Sequence, residues 1–357
     1  MTMQVLDQTR TERCTQKMVD AINGAALALM TSMGHRTGLF DTMARLEPAT
    51  SDEIALEAKL SERYVREWLG AMVTGGIVEH EPDNGTYFLP PEHAAVLTRS
   101  SSPNNIAATT QWVAVLGAVE DNVVEAFYHG RGVPYSAYRN FTRVMAEESF
   151  QTVVAGLEAH ILPLVPGLTD RLEAGIDVLD IACGAGLAMI ELAESYPNSR
   201  FNGYDLSAEA IAAARAEAAR RCVTNVRFMV KDLATMDDAS RFDLVTAFDA
   251  IHDQGKPDRV LENIRKALRP GGTYLMQDIL ASSHVHKNHD LPFGVFTYTV
   301  SCMHCMSVSL ANGGPGLGAA WGKELALQML NEAGFKDVRV QTLPHDPINY
   351  YYITGRD

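Results

Sequence analysis

The sequence predicts an α/β protein: a Rossmann-like, seven-stranded, mostly parallel sheet, preceded by an α+β winged-helix domain and a helical connector. Three observations carry that reading. From residue 176 onward, short apolar runs alternate with amphipathic stretches at the spacing of βα units. "DIACGAGLA", residues 180–188, joins an Ile/Val/Leu-rich run to a stretch of helical periodicity, which makes a strand, a tight glycine turn and a helix. Residues 14–98 hold three helical stretches and then "IVEHEPDNGTYFLP", two short strands around a turn, together a winged helix-turn-helix.

Taken in order, "KMVDAINGAALALMTSMGHRTG" is an Ala-rich helix more apolar than a lone surface helix should be. "TSDEIALEAKL" opens with Thr50 and Ser51 as cap candidates and Glu53 placed for a capping box. "SERYVREWLGAMVTGG" begins at a second Ser cap and ends in Gly75 and Gly76. Residues 104–170 read as the helical connector, broken at "HGRGVPY" and ending in the linker "LPLVPGL". Strands are expected at about 176–182, 200–205, 226–230, 242–249 and 272–279. After the helix "WGKELALQMLNEAG" come two more, at about 337–342 and 349–354, free to pair antiparallel. The stretch 280–319 is too long for an ordinary connection and reads as a lid over a substrate pocket. The expected domains are therefore 1–103, 104–170 and 171–357.

Composition narrows the function class. The 357 residues are 46% hydrophobic and 21% charged, ordinary for a globular chain, and the formal net charge of −14 argues against nucleic acid as partner. The segment "MTMQVLDQTRTER" is polar and lacks the apolar stretch of a secretory signal. No run approaches the roughly 18–20 apolar residues of a membrane span. Five cysteines (14, 183, 222, 302 and 305) are too few and odd in number for a disulfide framework. A cytoplasmic location without membrane attachment is the expectation.

The glycine turn decides between cofactors. A dinucleotide fingerprint needs a third glycine, but Met189 stands there, and Asp180 lies four residues before Gly184. A pyrophosphate gains nothing from that carboxylate, whereas the ammonium of S-adenosylmethionine does. Gly186 lets an amino-acid end approach the backbone, although Asp180 has an alternative role in bracing the turn. Asp205, with Leu206 beside it, ends the second strand, where a carboxylate accepts hydrogen bonds from ribose hydroxyls. Asp232 follows the third, placed to accept from an adenine amino group while the Leu233 amide meets a ring nitrogen.

The motifs "VLDIACGAG", "GYDLS", "VKDLA", "FDLVTAFDAIHD" and "LRPGGTYLMQD", in this order over residues 171–357, closely resemble class I S-adenosylmethionine-dependent methyltransferases. Ala182 replaces the first glycine of the family pattern. The upstream region resembles that of small-molecule O-methyltransferases from plants and bacteria, and the whole chain is similar to a bacterial, notably mycobacterial, winged-helix group. The resemblance implies S-adenosyl-L-methionine as cofactor and S-adenosyl-L-homocysteine as product. It places Asp180, Ala182, Gly184, Gly186, Asp205, Leu206, Asp232, Leu233 and Asp249 at the cofactor.

Methyl transfer is an in-line displacement, so the protein aligns the nucleophile, excludes water and supplies a base where one is needed. "FDAIHDQGKP" puts His252 and Asp253 at the end of the fourth strand, where they look like the family's His-Asp base pair. Gln254 replaces the aromatic that usually follows. Asp249 and Asp278, on the ends of strands four and five, are placed either to position substrate or to hold the histidine. Trp112, Tyr135, Tyr138, Phe293, Phe296, Cys302, His304 and Met306 are the expected pocket lining, with Phe127, Phe141 and Tyr298 as further candidates. His284, His286, His289, Cys302, His304 and Cys305 lack the spacing of a zinc site, so no metal is expected. Tyr298 stands where a radical enzyme's cluster motif would begin with cysteine.

The expected acceptor is a small or elongated, largely apolar molecule methylated at a hydroxyl. The rival reading is an S-adenosylmethionine-responsive winged-helix transcriptional regulator without catalysis. Residues 1–100 carry 9 Lys/Arg against 14 Asp/Glu, and Glu62, Glu67, Glu79, Glu81 and Asp83 fall on the recognition helix and wing. That charge repels phosphates. A homodimer covering the apolar helix at 17–33 is the expected use of the N-terminal domain.

Overall fold

Residues 6–357 are described in a computed structural model. Residues 1–5 of the polar N-terminal segment lie outside the described residues. The chain divides between Ala114 and Val115 into two units, within the segment read as the connector.

In the first unit, α1 (Gln8–Thr37) starts where Asp7 accepts from the Arg10 amide at 3.1 Å and stops at Gly38, whose φ of 77° is left-handed. Its C-terminal turns enter the core, with Gly34 and His35 buried, while Met18, Ile22 and Met33 are 51%, 70% and 52% exposed. α4 (Glu62–Thr74) crosses at Gly34, where a Cβ would stand 2.5 Å from the Trp68 ring. The Trp68 indole donates to the Met30 carbonyl at 2.8 Å. Between them lie α2 (Leu39–Met43) and α3 (Ser51–Ala58), the latter opened by a reciprocal capping box of Thr50 and Glu53. Ser61 occupies the N-cap of α4 but makes no capping hydrogen bond there. β1 (Glu79–Glu81) and β2 (Thr86–Phe88) form the antiparallel ribbon of the wing. Phe40, Ile54, Leu69 and Met72 are the centre of this unit's core.

The second unit is built on a seven-stranded sheet. Its strands are β3 (Asp177–Ile181), β4 (Arg200–Asp205), β5 (Val226–Val230), β6 (Phe242–Phe248), β7 (Leu268–Ile279), β8 (Lys336–Leu343) and β9 (Asp346–Gly355). They lie in the order β5-β4-β3-β6-β7-β9-β8, parallel through β7, with β9 antiparallel to both neighbours. β3 is buried on both faces, as its unbroken "VLDI" demands. One face packs on Ile190, Leu192 and Tyr351, the other on Ile264, Tyr274 and Leu330. After β3 the chain winds outward through β4 and β5, then returns to β6 on the other side. That reversal opens a crevice at the carboxyl ends of β3 and β6, the place where ligands bind such sheets.

The stretch 280–319 is largely helical rather than an open loop: helix Gly294–Val300, a π-helical turn Ser301–Cys305 and helix Met306–Ala311 run in sequence. No single described helix is long and apolar enough to cross a membrane.

The glycine turn alternates into left-handed backbone at Ala182 (φ 49°), Gly184 (φ 52°) and Gly186 (φ 71°). At Gly186 a Cβ would stand 2.4 Å from the buried Phe228 ring, so only glycine fits. Ala182 has no such excuse. Left-handed backbone costs an L-residue about 1–2 kcal/mol, against about 0.4–1 kcal/mol for the extra chain entropy of glycine. Ala182→Gly is therefore expected to stabilise the protein by about 0.5 kcal/mol, read as a higher urea midpoint. A lower midpoint would show that alanine is the better residue at this turn.

Candidate active site

Each of β3, β4, β5, β6 and β7 brings an acid at its carboxyl end, within the strand or just after it. Asp180 is still within β3, buried, and its Oδ1 accepts the Thr246 hydroxyl of β6 at 2.7 Å. Burial pushes its carboxyl up to about 7. It ties two strands together at the floor of the crevice, next to Ala182. Asp205, the last residue of β4, has Oδ2 on the Gly184 amide at 2.9 Å and Oδ1 on the Ser207 amide at 2.7 Å. It thus holds the glycine turn and the start of helix Ala208–Arg220 at once, and burial raises its carboxyl.

Asp232 is exposed and accepts from the Ala234 amide at 2.9 Å, capping a short turn. Leu233 behind it is buried, its carbonyl fixed by the Asn263 side chain at 3.1 Å. Leu206 is 60% exposed. The crevice is open along Leu206 and Asp232 and closed at Asp180.

The loop after β6 carries the other half of the site. His252 is 2% exposed, and its Nδ1–H donates to Asp278 Oδ1 at 2.8 Å. That oxygen also accepts the Trp321 indole at 3.0 Å and the Ile279 amide at 2.8 Å. Burial alone would push the imidazole down; the Asp278 carboxylate and the hydrogen-bonded Cys305 thiol outweigh it and hold His252 well above its ordinary range. Asp249 sits 3.8 Å from the same nitrogen, in left-handed backbone (φ 53°), and burial brings its carboxyl up to about 6.

Asp253 does not pair with His252. Its Oδ2 accepts the Tyr135 hydroxyl and its Oδ1 the Gln254 amide at 3.2 Å. The residue that orients the histidine is Asp278. The β6–β7 register, with Phe248 beside Gln277, brings Asp249 level with Asp278, and the turn after it carries His252 onto the same carboxylate. Cys305 against the imidazole had no signal in the sequence, because its approach depends on how the 301–311 segment folds back. Among the described residues, one group of potential ligands is close enough for an ion, Asp249, His252 and Asp278, with donor atoms within 4.8 Å of one another. The hydrogen bond between His252 and Asp278 accounts for the closest of these approaches.

The expected pocket residues fall into different surroundings. His304 is buried, stacked on Phe141 at 4.3 Å with Tyr138 and Tyr135 edge-on at 4.8 and 5.5 Å. Burial, then the nearby His252, lowers it to about 3, so it serves as a neutral aromatic. Cys302 lines an open apolar groove of about 730 Å³ together with Phe127, Leu291, Val295, Tyr298 and Met303. Met306 lines a smaller adjoining hollow that shares Cys302. Phe293 and Phe296 pack edge-on against each other at 6.4 Å, outside that lining. Trp112 belongs to the first unit and is buried there. His284 and His286 are exposed while His304 and Cys305 are buried, so the lid's metal-type residues do not converge.

Comparison with known proteins bears on the fold and its domains. Residues 25–99 match the Rv2258c-like winged HTH domain family, and residues 172–334 match a methyltransferase domain family. The fold is similar to human N-acetylserotonin methyltransferase, solved with S-adenosylmethionine, at 18% identity over 98% of both chains and a TM-score of 0.70. It is also similar to the mitomycin 7-O-methyltransferase MmcR, at 16% identity over 98% of this chain and 100% of that one, with a TM-score of 0.68. Among curated sequences, the ubiquinone biosynthesis O-methyltransferase of Coxiella burnetii is 28% identical over 127 residues, which are 35% of this chain and 49% of that protein. The chain spans less than half the length of the first curated relatives it matches. The chain thus joins a winged helix-turn-helix domain, residues 25–99, to a methyltransferase domain, residues 172–334.

Proposed function

We propose that the protein transfers the methyl group of S-adenosylmethionine to a hydroxyl on a small or elongated, largely apolar molecule, with His252 as the base. The buried His252–Asp278 pair beside the glycine turn of the methyltransferase domain carries this reading. Similar folds have been solved with S-adenosylmethionine and with S-adenosylhomocysteine, which supports that cofactor here. Asp205, Leu206, Asp232 and Leu233 take the adenosine end; Asp180, Ala182, Gly184, Gly186 and Asp249 take the methionine end. The cofactor supplies an electrophilic methyl on a sulfonium.

The chain's own task is to line up the acceptor oxygen and remove its proton. With Nδ1–H committed to Asp278, the neutral imidazole carries its lone pair on Nε2, the nitrogen left to the Cys305 thiol, and the acceptor hydroxyl takes the thiol's place there to give up its proton. The carboxylate then stabilises the imidazolium that results. The apolar groove beside Cys302 suits the body of an apolar acceptor.

A DNA-reading regulator is the weaker reading. On α4, Arg63 pairs with Glu67 and Arg66 with Glu62, so both helix cations are already neutralised. The wing strand Glu79–Glu81 is exposed and acidic. The exposed stripe Met18, Ile22, Met33 on α1 instead supports a homodimer through the first unit.

Asp205→Ala is expected to abolish binding of S-adenosylhomocysteine in calorimetry with circular dichroism unchanged; retained micromolar affinity would sink the ribose assignment. His252→Ala should lower turnover by a factor on the order of 10²–10⁴ while cofactor affinity stays. Because the base must be neutral, kcat/KM falls as pH drops through a midpoint above 6.5, and Asp278→Asn moves that midpoint down. A pH-independent rate, or unchanged turnover in His252→Ala, removes His252 as base. Ile22→Asp is expected to convert a dimer to a monomer in sedimentation velocity, and a monomeric wild type would refute the association.

A further inference from the structure

Segment 130–140 runs between helices Glu120–His129 and Phe141–Thr152 and lies across the 301–311 helix. Its ends are both in left-handed backbone, Gly130 at φ 64° and Asn140 at φ 63°. Gly132 presses so closely that a Cβ would stand 1.7 Å from the Ser307 carbonyl oxygen. The Val133 amide donates to Ser307 Oγ at 2.9 Å, and the Tyr138 hydroxyl to the Met303 carbonyl at 2.6 Å. These contacts anchor the strap to the helix beneath it. Tyr135 reaches past that helix, and its hydroxyl donates to Asp253 on the loop that carries His252.

Asp253 directly follows His252 in the loop after β6, and β6 lies beside β3, whose carboxyl end leads into the glycine turn. The crevice is open where the adenosine lies, with Leu206 60% exposed, but His252 at the reacting end is 2% exposed. A ligand that fills the crevice therefore meets open solvent at one end and this strap at the other.

We infer that Tyr135 and Asp253 form a clasp at the reacting end of the cofactor pocket, and that cofactor product leaves more slowly while their hydrogen bond holds. Tyr135 is thus a positioning residue that acts through Asp253 and sets the residence time of S-adenosylhomocysteine. The inference rests on the methyltransferase reading above and adds to it a residue that controls product release. A hydrogen bond to a carboxylate is strong enough to change a dissociation rate by about tenfold.

The test is the dissociation rate of S-adenosylhomocysteine, by surface plasmon resonance, from wild type, Tyr135→Phe, Asp253→Ala and the double variant. Each single variant should release the ligand about tenfold faster, and the double no faster than either single, because both remove one bond. Asp253→Ala keeps the proposal testable should Tyr135→Phe fold poorly. If wild type binds and Tyr135→Phe releases at the wild-type rate, the clasp is overturned and the functional reading stands. Additive effects in the double variant overturn it too, since two independent contacts would then be at work. Absence of binding to wild type overturns the functional reading and the clasp with it.

Discussion

The site depends on one buried carboxylate. Asp278 is wholly enclosed, and an ion in such surroundings costs several kcal/mol unless donors compensate it. Three do: the His252 imidazole, the Trp321 indole and the Ile279 amide, all on Oδ1. They come from the loop after β6, from the segment leading into helix Gly322–Glu332, and from β7 itself. One oxygen thereby fixes the histidine's ring plane and docks the far end of the lid. The Gly318 amide on the His252 carbonyl, at 3.2 Å, closes the same loop from the backbone side.

Around that centre the acids divide by what surrounds them. Asp180 and Asp249 sit in low-dielectric surroundings and are pushed toward neutrality, to about 7 and about 6. Asp205 gives one lone pair of each oxygen to a backbone amide and so shapes the turn that it faces. A cluster of five carboxylates at one sheet edge would repel itself in water. Here burial, hydrogen bonds and one histidine share out the charge.

How much was legible in the sequence follows from what each feature depends on. The seven strands, the wing and the Thr50–Glu53 cap were readable because each is set by residues within a few positions of one another. Asp205 and Asp232 were readable because strand ends recur at the βα spacing. The histidine's partner was harder. Asp253 follows His252 directly, yet its carboxylate turns to Tyr135, and the contact falls to Asp278, one of the two strand-end acids the sequence offered for holding the histidine. Cys305 and the strap residue Tyr135 reach the site only through tertiary packing, for which no local periodicity exists.

The strand order has a further consequence, for solubility. β9 lies between β7 and β8, so the chain makes β8 first but the sheet can accept it only after β9. The two form a tight antiparallel hairpin, with Leu343 opposite Asp346, that docks as one piece. The rim left outside is β8, and it begins "KDVR", with Lys336 and Asp337 exposed. A rim of alternating charge offers a poor template for another chain's strand. The sheet ends there because adding an eighth strand would bury charges that have no partner.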